Sequence, residues 1–137
     1  MKIIQFITHP LFLITYFLLI IISGESYGAF YGFYLVLAFS HGGIHSILAV
    51  FGIGLLIFNY AKYKNKFKYQ IEPILNISGA LLLISSLFSF FYNDVDHYNY
   101  GTFYETVPLI ILILFLLVEL IFLIKNFIKI SSRIVAT

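Results

Sequence analysis

The segment TVPLIILILFLLVELIFLI, residues 106–124, decides the fold of this chain. It contains a single ionisable side chain, Glu119, and the apolar character extends to about Ile128. A helix that crosses the hydrocarbon core of a bilayer needs about 20 predominantly apolar residues. The segment therefore predicts a membrane-spanning helix over about residues 106–128.

Three other stretches are apolar over a similar length, at about residues 3–22, 29–58 and 73–92. Hydrophobic residues make up 61% of the chain and charged residues only 10%, whereas a soluble domain has roughly 25% charged residues. Lipid must therefore cover part of the surface. The sequence predicts an all-α polytopic membrane protein with one domain, residues 1–137, folded as a bundle of four transmembrane helices.

An alternative for residues 3–22 is a cleaved signal peptide, because Lys2 precedes the apolar run. The run is longer than the roughly 7–15 apolar residues of a signal peptide, and it contains His9-Pro10. We therefore interpret residues 3–22 as the first of the four spans.

The basic residues are confined to three places: Lys2, the lysines of residues 62–68, and the C-terminal Lys125, Lys129 and Arg133. The connections 23–28 and 93–105 contain acidic residues and no Lys or Arg. The positive-inside rule then puts both termini in the cytoplasm. The bias toward Ile, Phe, Tyr, Lys and Asn is typical of an AT-rich bacterial genome, so the sequence predicts a multi-pass protein of the bacterial inner (plasma) membrane.

Several kinds of chemistry are excluded or disfavoured by the sequence. The chain has no Cys, which excludes thiol redox chemistry and Cys-ligated metal sites. It contains no motif of a conventional hydrolase or kinase, which disfavours an enzyme. The basic residues form no nucleic-acid-binding motif. The expected partners are the lipid bilayer and either further copies of the chain or a partner membrane subunit.

Three ionisable side chains, His41, His45 and Glu119, fall near the middle of the predicted spans. At 1.5 Å per residue they lie within roughly one helical turn of each other in depth. Ionisable groups inside a membrane are costly and often mark a functional site. We predict that this midplane cluster binds protons, an ion or another ligand.

The chemistry of the midplane cluster is left open by the sequence. A Glu–His pair can share one proton and act as a relay. His41 and His45 have the i, i+4 spacing of two metal ligands on one helix, and Glu119 would complete a two-His, one-carboxylate set. Haem b would need His9 or a second protomer as the other axial ligand. The blander interpretation is that these side chains only hydrogen-bond neighbouring helices together.

Three glycines of the second predicted span, Gly32, Gly43 and Gly54, are 11 residues apart and stack on one face of a continuous helix. Small residues let helices approach closely in lipid, so these glycines predict a helix-packing face. On the fourth predicted helix, the face that could turn inward contains Glu105, Pro108, Leu112, Phe115, Glu119, Leu123 and Asn126.

Three functions are compatible with this pattern. The first is an oligomeric transport or channel protein whose midplane cluster handles protons or a divalent cation. The second is a structural or accessory subunit of a larger membrane complex, which the glycine face favours. The third is a membrane redox subunit that binds haem b, a metal or a quinone.

Overall fold

The computed structural model describes residues 3–25, 28–64, 71–94 and 96–134. For residues 63, 64, 133 and 134 it describes the backbone and not the side chain. The chain is predominantly helical. Its elements in order are α1 (Ile3–Ile7), α2 (Pro10–Leu18), β1 (Ile21–Ser23), β2 (Gly28–Phe30), α3 (Tyr31–Phe39), α4 (Ile44–Lys64), α5 (Glu72–Tyr92), α6 (Gly101–Tyr104) and α7 (Thr106–Ile134).

Among the described residues, three helices are long and apolar enough to cross a membrane: α4, α5 and α7. The range predicted for the third span, 73–92, matches α5 closely. The range 106–128 matches α7, which continues by six further residues to Ile134. The all-α class and the membrane-like character of the chain are therefore confirmed, whereas the count of four spanning helices is not.

The prediction of one continuous helix over residues 3–22 is wrong. The helix α1 ends at Ile7, and α2 begins at Pro10 with His9 as its N-cap. Proline has no N–H to continue a helix, so it is tolerated at the first helical position. Beyond Leu18 the chain forms a short antiparallel hairpin, in which Ile21 pairs with Phe30.

The range 29–58 is also interrupted. The helix α3 ends at Phe39, and α4 begins only at Ile44. Gly42, between them, has a φ of 69°, a left-handed conformation that glycine adopts without steric cost. The Gly42-Gly43 pair thus lies in a break between two helices, which leaves α3 too short to span a bilayer.

Among the described elements, α4 and α5 share the most extensive contact. The two helices touch at a pair of glycines. A Cβ atom added to Gly52 would lie 2.9 Å from the Gly79 carbonyl oxygen, and one added to Gly79 would lie 2.8 Å from the Leu56 Cγ. The two backbones approach this closely because neither glycine has a side chain. Close contact between small residues is a common way for helices to associate in lipid.

The predicted face of Gly32, Gly43 and Gly54 is not formed, because the break at 40–43 separates α3 from α4. Gly32 packs against the end of α2, where an added Cβ would lie 3.2 Å from the Leu18 carbonyl oxygen. Gly43 lies within the break against Ala38 and His45, and Gly54 has no atom within 4 Å of its added Cβ. The glycine contact between α4 and α5 is made instead by Gly52 and Gly79.

The helix α7 shows the inward face that the sequence predicts over most of its length. Its buried residues recur at alternating spacings of four and three: Pro108, Leu112, Phe115, Glu119, Phe122 and Asn126. The opposite face consists of exposed apolar side chains, which include Ile110, Ile113, Leu117, Leu120 and Ile124. Such a face is suited to contact with lipid chains.

Candidate functional site

Glu119 is completely buried, with 0% of its surface exposed. On its own helix it is flanked by Phe115 and Phe122, both of which belong to the apolar core. Neither oxygen of its carboxyl group has a hydrogen-bond partner among the described residues. Burying an unpaired carboxylate costs far more than burying the neutral acid. The apolar surroundings of Glu119 therefore make an ionised carboxylate unfavourable at this position.

His41 lies in the break between α3 and α4 and is exposed. Its Nδ1 atom lies 2.9 Å from the Ser40 hydroxyl and 3.1 Å from the Leu37 carbonyl oxygen. The predicted i, i+4 face of His41 and His45 requires one continuous helix. The left-handed Gly42 removes that continuity, so the two imidazoles do not share a helix face.

His45 lies in the first turn of α4 and packs edge-on against Phe90, with ring centroids 5.3 Å apart. Its Nε2 atom is buried and has no hydrogen-bond partner among the described residues. Its backbone carbonyl accepts a hydrogen bond of 2.7 Å from Ser86, whose hydroxyl is also bonded to the Tyr31 hydroxyl at 2.8 Å. Ser86 on α5 thus links the first residue of α3 to the first turn of α4.

His45 and Glu119 lie at similar depths but are not hydrogen-bonded to each other. The Asn76–Asn126 hydrogen bond aligns α5 with α7. Glu119 lies seven residues from Asn126 along α7, which places it level with Leu83, seven residues from Asn76 along α5. His45 is bonded to Ser86, three residues further along α5. At 1.5 Å per residue, the two side chains therefore start about 5 Å apart in depth.

The described residues contain no group of three or more His, Asp or Glu side chains that could hold a metal ion. The predicted metal set of His41, His45 and Glu119 is not assembled, since His41 is exposed in the break while Glu119 is buried among apolar side chains. The ring of His9 packs against the ring of Tyr60, with centroids 5.0 Å apart. Tyr60 lies 15 residues, or about 22 Å, from His45 along α4. His9 and His45 of one chain therefore cannot bind the two faces of one haem.

A polar cavity of about 330 Å³ lies at the other end of the bundle, where α4 and α7 end and α5 begins. We call it the basic-end cavity. It is lined by Gln5, Thr8, His9, Pro10, Asn59, Tyr60, Glu72, Asn76, Lys125, Asn126 and Lys129. Five elements contribute to it, because α1 and α2 bring the N-terminal residues beside the three long helices.

Three buried asparagines form a hydrogen-bonded chain in the basic-end cavity. Asn59 donates to Asn76 at 2.7 Å, and Asn76 donates to Asn126 at 2.9 Å. Asn126 then donates to the Phe122 carbonyl oxygen at 2.8 Å, and Asn59 also donates to the Glu72 carbonyl oxygen at 2.9 Å. The chain connects α4, α5 and α7 in one layer.

Two lysines of α7 complete the lining. Lys129 forms an ion pair with Glu72, the first residue of α5. Lys125 donates a hydrogen bond of 2.5 Å to the hydroxyl of Thr8. Both lysines therefore connect the C-terminal part of α7 to residues far away in sequence.

The sequence predictions treated Lys125 and Lys129 only as markers of topology and missed the basic-end cavity. The signal that was available is the presence of Asn59, Asn76 and Asn126 inside or at the ends of apolar stretches. Such amides hydrogen-bond across helices in membranes. The remaining basic residues of the topology prediction, Lys2, Lys66 and Lys68, lie outside the described residues, as do the side chains of Lys64 and Arg133.

The chain matches no known protein family, no curated protein and no solved structure. A fold by itself does not define an activity, so function is inferred here from the chemistry of particular side chains.

Proposed function

We propose that this chain is a small integral membrane protein of the transport type, in which Glu119 binds and releases a proton inside the helix bundle. The observation that carries the proposal is the complete burial of Glu119 without a hydrogen-bond partner among the described residues. A carboxyl group in such a place costs stability, and ionisable groups at this depth are typical of proton pathways.

The direction from which protons reach Glu119 is suggested by α7. Asn126 lies in the floor of the basic-end cavity and is seven residues from Glu119 on the same buried face. Two helical turns, or about 10 Å, therefore separate the polar cavity from the carboxyl group. We propose the basic-end cavity as the aqueous entrance, on the cytoplasmic side of a bacterial plasma membrane.

His45 is the best candidate for a group on the other side of Glu119. Its Nε2 atom is buried without a partner among the described residues, and its side chain starts about 5 Å from that of Glu119 in depth. The exposed His41 lies beyond it in the break between α3 and α4. The order Glu119, His45, His41 is then a route from the core to the far end of the bundle.

A bundle of three long helices encloses little space for a continuous water-filled pore. The proposal therefore includes association of several copies of the chain, with the exposed apolar faces of α4 and α7 in contact with lipid or with a second protomer.

The test is proton flux into liposomes that contain the purified protein and a pH-sensitive dye. Glu119→Gln keeps the size of the side chain and removes the exchangeable acid, and the proposal requires it to abolish the flux. The matched control is Glu25→Gln, since Glu25 is exposed near the β1–β2 hairpin. Equal flux through the folded Glu119→Gln variant and the native protein would refute the proposal.

A second candidate function, an accessory subunit of a membrane complex, is favoured by the surface of α4 around Gly54. An added Cβ at Gly54 meets no atom within 4 Å, and the neighbouring Val50, Phe51, Ile57 and Phe58 are exposed. A small residue among exposed apolar ones permits close approach of another helix. If this function is correct, Gly54→Leu releases a co-purifying membrane protein that the native chain retains in mild detergent.

A further inference from the structure

The basic-end cavity contains more hydrogen-bond donors than its own acceptors use. Asn76 and Asn126 each donate one amide hydrogen to a neighbour and keep the second. The Nδ1 atom of His9 accepts the backbone N–H of Leu11, which leaves Nε2 as the nitrogen that carries the ring hydrogen in the neutral imidazole. Gln5 and Tyr60 add an amide and a hydroxyl group.

The charges of the cavity lining also favour an anion. Among the described lining residues there are two lysines and one carboxylate, and that carboxylate, Glu72, is paired with Lys129. The hydrogen bond of Lys125 is to the neutral hydroxyl of Thr8. The lining therefore has a net positive charge, and Lys125 is the cation whose charge the described residues do not neutralise within the cavity.

The size and position of the cavity indicate which anion it fits. A volume of about 330 Å³ is at the small end of the range for small-molecule sites. Gln5 and Lys125 are exposed, whereas Thr8, Asn59, Asn76 and Asn126 are buried, so the cavity has a charged mouth and an amide-lined floor. Its donor-bearing residues come from several helices, which suits a tetrahedral group with several oxygens better than a planar carboxylate.

We propose that the basic-end cavity binds a phosphate group, with Lys125 as its principal cationic contact. Lysine is a common phosphate-binding residue, and basic pockets between transmembrane helices bind phospholipid headgroups. The phosphate can belong to an anionic phospholipid or to a free phosphate compound, and both have the same recognition chemistry. The same cavity is the proposed proton entrance, but binding of a phosphate group is measured without proton flux, so either proposal can fail while the other stands.

The experiment measures binding to the full-length protein in detergent micelles by titration calorimetry. The probes are inorganic phosphate, a short-chain phosphatidylglycerol and a diacylglycerol with the same chains but no phosphate. Lys125→Gln removes the proposed cation. Lys62→Gln is the matched control, because Lys62 lies at the same end of the bundle over the ring of Phe58 and does not line the cavity.

We expect saturable binding of the phosphate-bearing probe at one site per chain and about tenfold weaker binding in Lys125→Gln, as for loss of one charged hydrogen bond. Lys62→Gln should bind as the native protein does. Binding of phosphatidylglycerol that inorganic phosphate does not displace identifies a lipid headgroup, and binding of inorganic phosphate alone identifies a free phosphate compound. Binding of the diacylglycerol as tightly as phosphatidylglycerol, or equal losses in both lysine variants, overturns the proposal.

A second measurement uses the native chain and does not depend on a variant that folds. An amine-acylating reagent is applied with and without the bound probe, and the modification of each lysine is read by mass spectrometry. Lys125 should be protected when the probe is present, while Lys62 reacts at an unchanged rate. Equal reaction of Lys125 with and without a saturating probe would overturn the assignment.

Discussion

Asn76 on α5 donates a hydrogen bond of 2.9 Å to Asn126 on α7, and this single contact joins the two candidate sites of the molecule. It aligns the two helices, closes the floor of the basic-end cavity and places Glu119 two turns deeper on the same face of α7. One layer of amides therefore aligns the two helices that carry the floor of the cavity and the buried Glu119.

Removing one amide from this layer should weaken the bundle. In Asn126→Ala the side chain of Asn76 loses its acceptor while it remains buried. Interhelical hydrogen bonds in membrane proteins contribute about 0.6 kcal/mol on average, with a maximum near 1.7 kcal/mol. We expect a decrease in stability within that range, measured as the midpoint of unfolding in SDS–detergent mixtures. Asn93→Ala is the control, since Asn93 is exposed and, among the described residues, its side chain donates only to the Ser89 hydroxyl of the adjoining helix α5. An equal decrease there would contradict the argument.

The contact of Gly52 with Gly79 gives a sharper test, because the chain contains its own control. In Gly52→Ala the new Cβ would lie 2.9 Å from both the Gly79 carbonyl oxygen and the Leu83 Cδ2, so α4 and α5 must move apart. Such overpacking costs about 1–3 kcal/mol. In Gly54→Ala the new Cβ meets nothing within 4 Å, and replacing a helical glycine by alanine stabilises a helix by about 1 kcal/mol.

The two alanine variants should thus shift the unfolding midpoint in opposite directions. They lie two residues apart on one helix and introduce the same methyl group, so a difference between them reports packing alone. A shift of the same sign and size in both would mean that Gly52 and Gly79 are not in contact.

The hydroxyl of Ser86 on α5 contacts both α3 and α4, through Tyr31 at the start of α3 and His45 at the start of α4. Ser86→Ala removes the bonds to the Tyr31 hydroxyl and to the His45 carbonyl oxygen. Tyr31 is completely buried, so its hydroxyl would be left without a partner, at a cost of about 1–3 kcal/mol. Thermal unfolding followed by circular dichroism measures the loss.

Ser85→Ala is the control for Ser86, because Ser85 is exposed and bonds to the Leu81 carbonyl oxygen of its own helix. We expect Ser85→Ala to leave the transition temperature nearly unchanged. If Ser86→Ala were equally harmless, the hydrogen bond between the hydroxyl groups of Ser86 and Tyr31 would have no structural role.

The sequence predicts the long helices well because their signal is local. Apolar length defines α5 to within one residue and the start of α7, and the spacing of Leu112, Phe115 and Glu119 predicts which face of α7 is buried. Hydropathy is insensitive to breaks inside an apolar run. The residues between Phe39 and Ile44 are Ser40, His41, Gly42 and Gly43, which are too few to end an apolar run when hydropathy is averaged over about 19 residues. A left-handed Gly42 nevertheless divides the run.

The candidate site was predicted in part, for a related reason. Burial of Glu119 follows from its position on the inward face of α7, and the sequence contains that information. The depth of His45 could also be estimated by counting residues along the predicted helix. The exposure of His41 could not, because it results from the break between α3 and α4. The basic-end cavity required knowledge of which helix ends meet, because its asparagines and lysines come from distant parts of the chain.

Glu119 should lower the stability of the fold in which it is buried. Glu119→Leu replaces an unpaired carboxyl group with an apolar side chain of similar size in an apolar core, and substitutions that remove a buried unsatisfied polar group are neutral or stabilising. We expect a gain of about 1–2 kcal/mol over the native chain, by analogy with the cost of an unsatisfied buried group. Glu119→Gln keeps a polar group without partners and should show no such gain. Unfolding in SDS–detergent mixtures compares the three proteins, and proton flux through the same preparations separates stability from activity. A destabilised Glu119→Leu variant would mean that the carboxyl group has a stabilising partner in the membrane, such as a bound water or ion, and would exclude an isolated acid.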